Sequence, residues 1–308
     1  PVGTLLCPRR CPRGQAGLSP AMEKRDIFYT AHDGLKLYAA EYGPHDSDIT
    51  VLCMHGLTRN HKDFEPMIRG LELPARYISV DVRGRGRSDR DPSGETYAPP
   101  VYVQDMATLI DHLKLDNLIL VGTSMGGLMA MLMAKAFPDK IKSIVINDVG
   151  PEVNPAGLKR IAGYAGGNET FDSLDDAATA IGRTQASVYP DYNADDWLEF
   201  AKRTCTVRDD GKIIFDYDPV IVRGMGSTKP SWRVNFAMWR IYSALKAIPL
   251  LIVRGETSDI LTEKTANRML KRHKGSRLLT VPGRGHTPFL NEPESLHAIR
   301  KFISTALK

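Results

Sequence analysis

Two hydrophobic periods alternate along the chain. Short apolar runs recur at Thr50–Met54, Tyr77–Val82, Asn117–Val121, Ser143–Ile146, Leu250–Val253 and Arg277–Val281. Several are continuous and rich in Val, Ile and Leu, as expected of strands covered on both faces. Ahead of them, Arg25–Thr30 and Gly34–Glu41 form an antiparallel pair around the turn residues Asp33-Gly34. Between the runs lie helical patterns. Val103, Met106, Leu109, Ile110 and Leu113 share helical spacing within Val101–Leu115, and Leu128–Phe137 is apolar almost all round, which predicts a buried helix. Thr262–His273 and Pro293–Leu307 are amphipathic, with Thr262-Glu263 and Asn291 to Glu294 as starts. Strand alternating with helix predicts an α/β fold: a mostly parallel sheet flanked by helices.

The alternation stops at Gly150-Pro151 and resumes at Pro249–Val253. The stretch between lacks convincing core strands and holds all three tryptophans, Trp197, Trp232 and Trp239. An inserted helical cap over 151–245 follows, carried on a core of 22–150 plus 246–308. Residues 1–21 are expected to be a disordered tail or an extension. No internal repeat or low-complexity block is visible.

With 308 residues, 42% of them hydrophobic and 25% charged, the chain can bury a large core and is not disordered overall. The formal net charge is +5, of which Arg9, Arg10 and Arg13 in the tail supply three, so no nucleic-acid partner is indicated. The four cysteines, Cys7, Cys11, Cys53 and Cys205, have no zinc spacing and suit a reduced, cytoplasmic protein without metal or cofactor. The uncharged run Leu118–Ala134 could pass for a membrane span. Gly122, Gly126 and Gly127 inside it fit a strand, a tight turn and a buried helix better, so no membrane partner is expected. The oligomeric state is open, a homodimer included.

Gly122-Thr123-Ser124-Met125-Gly126 lies between an apolar strand and an apolar helix, the context that gives a G-x-S-x-G turn its meaning. There a serine stands clear of the sheet in a strained turn, and side chains two positions either side would collide. A serine hydroxyl needs a base. Of eight histidines, His286 follows the last predicted strand, in a loop with Gly283 and Gly285. The imidazole needs an acid to fix its tautomer. Asp259 and Asp148 each follow a strand end. Asp259 is favoured, with Asp148 the alternative and Glu256 a lesser option. At the end of the first long core strand, Met54-His55-Gly56-Leu57 supplies a second oxyanion donor, so the backbone N–H groups of Leu57 and Met125 are assigned to that role. His55 is expected to brace this loop.

These ordered segments resemble α/β-hydrolase-fold serine hydrolases with the chain order Ser…Asp…His. The likeness runs from about Arg25 to Leu307 and is strongest to capped esterases, lactonases and carbon–carbon bond hydrolases. Asp81 to Asp89, with Arg83, Arg85 and Arg87, is similar to a structural turn of such proteins, which argues against a phosphate site. Ser124 argues against relatives with an aspartate nucleophile. In the cap, Trp232, Phe236 and Trp239 share one helical face and either line a substrate pocket or fasten the cap to the body. Arg160, Arg183, Arg233 and Arg240 are candidates for pairing a substrate carboxylate. The expected function is cofactor-free hydrolysis of small carboxylic esters, lactones or thioesters included, through an acyl-enzyme. The alternatives are a carbon–carbon bond hydrolase of vinylogous diketones and a slow-turnover ligand receptor.

Overall fold

A computed structural model describes residues 23–223 and 231–306. The expected tail, 1–21, lies outside the described residues. The body strands are β1 (Lys24–Thr30), β2 (Lys36–Tyr42), β3 (Thr50–Met54), β4 (Arg76–Asp81), β5 (Leu118–Thr123) and β6 (Ile141–Asn147). After an insertion with its own strands β7 (Thr170–Phe171), β8 (Cys205–Val207) and β9 (Ile213–Phe215) come β10 (Leu250–Gly255) and β11 (Ser276–Val281).

The eight body strands form one sheet in the order β1-β2-β4-β3-β5-β6-β10-β11. β2 pairs antiparallel with β1 and β4, and every other pairing is parallel. β3, β4, β5 and β10 are buried at every position, which explains their unbroken apolar runs. Helices α1 (Glu65–Leu71) and α9 (Pro293–Ala306) cover one face through Met67, Ile68, Ile299 and Phe302. Helices α2 (Pro99–Leu113), α3 (Met125–Ala136) and α8 (Glu263–Arg272) cover the other through Met106, Leu109, Met129 and Met269. The fold is the α/β-hydrolase fold. The uncharged run splits into β5, a turn and α3, and no described helix is long and apolar enough to cross a membrane.

The insertion departs from a purely helical cap. Besides α4 (Pro155–Tyr164), α5 (Leu174–Gln185) and α6 (Ala194–Thr204), it carries a three-stranded antiparallel sheet, β7-β9-β8. Helix α7 (Trp232–Ala244) packs into the body instead, since Trp239, Tyr242 and Leu245 join the core beside α3. The cap has its own core around Ile181, Tyr189, Phe200 and Ile213.

The arginine-glycine turn after β4 joins these units. Arg83 is fully buried, with Nε and Nη2 on Asp105 at 2.7 and 2.6 Å and Nη1 on Asp33 at 2.6 Å. Gly84 and Gly86 exchange backbone hydrogen bonds with Asp218 and Asp216 of the cap segment. Arg87 reaches Asp26 at 2.5 Å. Arg85 Nη1 donates to the Arg83 carbonyl at 2.7 Å, so all three arginines are occupied in structure. Removing Arg83 alone would leave Asp105, 1% exposed, as an unpaired buried carboxylate. Arg83→Met is therefore expected to cost about 3–5 kcal/mol in urea unfolding, and adding Asp105→Leu should recover most of it.

Candidate active site

Ser124 sits between β5 and α3 at φ 51°, ψ −112°. The turn is tight because the strand end and the helix start nearly touch. A Cβ on Gly122 would come within 2.3 Å of the Gly126 carbonyl oxygen, and one on Gly126 within 1.9 Å of the Met54 carbonyl oxygen. No larger residue fits either place without moving the backbone. The Ser124 amide donates to the Asn147 carbonyl at 2.9 Å, which ties the turn to the end of β6.

The loop after β11 carries His286, 8% exposed, over this turn. Its Nε2 lies 2.9 Å from Ser124 Oγ, and its Nδ1 lies 2.8 Å from Asp148 Oδ2. Asp148 directly follows β6 with φ 56° and is fully buried. Its Oδ1 accepts from the Gly255 amide at 2.9 Å, and its Oδ2 also accepts from Ser258 Oγ at 2.6 Å. An acceptor at Nδ1 places the imidazole proton there and leaves the Nε2 lone pair facing Ser124. Asn147 Nδ2 donates to Thr123 Oγ1 at 3.1 Å and to the Pro288 carbonyl at 2.7 Å, linking the serine turn to the histidine loop.

Asp259, the acid favoured from sequence, is not the partner of His286. Both its oxygens are taken by Arg160 of α4, at 2.5 Å from Nε and 2.8 Å from Nη2. Burial would raise its pKa, but the guanidinium holds it below the usual carboxylate value. The loop expected to supply the acid supplies the Gly255 amide and the Ser258 hydroxyl instead, and both anchor Asp148. Glu256 accepts from the Gly283 amide at 2.9 Å and so steadies the histidine loop from outside.

Among the described residues, neither the Leu57 nor the Met125 amide is taken up by a loop carbonyl or a side chain. Met125 opens α3, where amides lack intrahelical acceptors. Two buried groups fix the Leu57 peptide. His55 Nδ1 donates to the Gly56 carbonyl at 2.7 Å, while its Nε2 accepts from the Val82 amide at 3.0 Å. Arg85 Nε donates to the Leu57 carbonyl at 2.9 Å. His55 is fully buried, and burial pushes its pKa down to about 4, so it is neutral here.

Above Ser124 and His286 is a cavity of about 430 Å³, walled by Leu57 and by Ile161, Tyr164, Ile181, Phe200 and Phe215 of the cap. Trp232, Phe236 and Trp239 do not line it. Trp232 and Phe236 are 72% and 60% exposed on α7, and Trp239 is buried against the body. Their shared helical face is real, but α7 lies with the body rather than over the serine. Arg183, Arg233 and Arg240 are exposed and also outside this cavity. The charged pair that does line it is Arg59 and Asp63. Their four-residue spacing after His55-Gly56-Leu57 was the available sequence signal.

A family model of the alpha/beta hydrolase fold matches residues 49–293. The chain is 30% identical over 271 residues to the 3-hydroxybutyrate-oligomer hydrolase of Cupriavidus necator, across 86% of this chain and 92% of that protein. It is 29% identical to the 2-(acetamidomethylene)succinate hydrolase of Mesorhizobium japonicum, across 82% and 87% of the two. The crystal structure of an alpha/beta hydrolase from Novosphingobium aromaticivorans superposes with a TM-score of 0.85 at 41% identity, covering 92% of this chain and 99% of that one. The chain belongs to the α/β-hydrolase family, and it is a hydrolase.

Asp148→Asn removes the acceptor for Nδ1–H and should lower kcat by about 10³–10⁴-fold in steady-state assays, whereas Asp259→Asn should change it by less than about tenfold. His55 resists protonation in the folded state only. Its contribution to stability is therefore present above its unfolded pKa of about 6.5 and is lost as pH falls from there towards 4, by roughly 3 kcal/mol. Urea unfolding across that range should show the loss, and His55→Asn should flatten it.

Proposed function

We propose that this hydrolase cleaves small carboxylic esters through an acyl-enzyme on Ser124. The observation that carries the reading is the unbroken line Ser124 Oγ, His286 Nε2, His286 Nδ1, Asp148 Oδ2, at 2.9 and 2.8 Å, with Ser124 and His286 lining the cavity. His286 takes the hydroxyl proton as Ser124 attacks the ester carbonyl. The N–H groups of Leu57 and Met125 hold the tetrahedral oxyanion, each contributing about 3 kcal/mol to the barrier reduction. Asp148 orients His286 and stabilises its charged form. Protonated His286 then donates to the leaving alcohol. Water enters, gives a proton to His286 and attacks the acyl group, and collapse of that second intermediate returns the proton to Ser124.

A cavity of about 430 Å³ suits a small ester. The similarity to a 3-hydroxybutyrate-oligomer hydrolase supports an ester over a carbon–carbon bond, although a carbon–carbon hydrolase would use the same three side chains. A slow-turnover receptor would keep the same side chains and differ by a negligible steady-state rate in multiple-turnover kinetics.

A fluorophosphonate should label Ser124 and no other residue, mapped by mass spectrometry. Ser124→Ala should abolish the label and reduce turnover of short p-nitrophenyl esters by about 10⁴-fold or more. Label on another residue, or turnover that survives the substitution, would overturn the assignment.

A further inference from the structure

Arg59 has a place in the cavity that the chemistry above leaves unused. Its Nε and Nη2 form a side-on pair with both oxygens of Asp63, the Nε bond at 2.7 Å. An arginine carries five N–H donors in a fixed plane, so the pair with Asp63 leaves the other edge of the guanidinium over. Among the described residues Nη1 makes no hydrogen bond, and it is not among the fully buried polar atoms. The side chain is only 13% exposed, and it is part of the cavity wall. Its flat face is covered by Phe200, 4.1 Å from guanidinium carbon to ring centroid, with Phe289 at 5.3 Å. The group is thus clamped on one edge by Asp63 and on one face by Phe200, and its end-on edge keeps free donors in a side chain that lines the cavity.

The serine is near. Arg59 Cγ and Ser124 Cβ lie 3.7 and 3.8 Å from the one point that a Cβ on Gly56 would occupy. A substrate with its carbonyl at Ser124 therefore meets Arg59 within the length of a short chain. The cavity wall is otherwise largely aromatic, aliphatic and hydroxyl-bearing, with Asp63 spent on Arg59 and Glu169 exposed. Asp63 cancels the charge at a distance, so recognition here acts at short range, through N–H groups held in a plane. Burial opposes the charge on Arg59, but Asp63 more than offsets this and keeps its pKa above the ordinary arginine value. A planar anion met end-on satisfies such an edge with two parallel hydrogen bonds.

We propose that Arg59 anchors a carboxylate of the substrate, so that the esters taken by this site are short and carry a free acid group. This rests on the ester-hydrolase reading for the identity of the reacting bond, while the anchor itself is tested without turnover. The probes are the linear ester dimer of 3-hydroxybutanoate and its terminal primary amide, a neutral molecule of the same shape. Wild-type enzyme should favour the acid over the amide by about tenfold or more in kcat/KM, through KM. Arg59→Gln combined with Asp63→Asn, which strands no buried carboxylate, should bring that ratio close to one. Arg59→Lys, which keeps the charge but loses the planar fork, should lower it and serves if the double variant does not fold. Calorimetry of both probes with Ser124→Ala should show the same preference in binding. Equal binding of acid and amide, or a preference that persists in the double variant, overturns the anchor. Preferential acid binding with no hydrolysis of either probe and no fluorophosphonate label would retain the anchor and reject the ester-hydrolase reading.

Discussion

A single buried carboxylate organises the reactive end of this molecule. Asp148 has no solvent exposure, so its charge depends on donors supplied by the protein. They come from two other chain segments: the Gly255 amide at the end of β10 with the Ser258 hydroxyl just beyond it, and the His286 imidazole after β11. Leaving such a carboxylate unpaired in the interior would cost several kcal/mol. The three loops are therefore coupled, and the imidazole that meets Ser124 is placed by the same contacts that make Asp148 tolerable. Parallel pairing of β6, β10 and β11 brings these loops together at the carboxyl ends of the strands.

The cap takes part in that placement as well as walling the cavity. The Gly285 amide donates to the Val188 carbonyl at 3.0 Å, and Tyr189 Oη donates to the Thr287 carbonyl at 2.7 Å, so both neighbours of His286 are held from the cap. Arg160 adds a second tie by its pair with Asp259. Residues that would touch a substrate, such as Ile181 and Phe200, stand in the same cap core as Tyr189. Changes that alter the cavity are thus coupled to the position of the base.

Much of this was legible in the sequence, and the gaps have physical causes. The sheet could be read because strands buried on both faces are unbroken apolar runs. The Ser124 turn could be read because the close approach of Gly126 to Met54 admits no Cβ, and sequence displays that directly as glycine. His286 stood out by its place after the last strand. The acid did not, because Asp148 and Asp259 both follow the ends of neighbouring strands. Partners distant in sequence decide between them: Arg160 takes Asp259, and Ser258 turns to Asp148. The Trp232, Phe236 and Trp239 face was visible, but periodicity does not say what a face meets. The cap strands are two or three residues long, too short for any period to register. Arg59 was overlooked because its significance depends on Phe200, which lies far along the chain.

The pairing of His286 with Asp148 rather than Asp259 is the central claim, and the proton between them reports on it. Proton NMR at a pH low enough to charge His286 should show a strongly downfield Nδ1–H signal in the wild-type protein and in Asp259→Asn, and none in Asp148→Asn. A signal that survives loss of the Asp148 carboxylate but disappears with that of Asp259 would contradict the account.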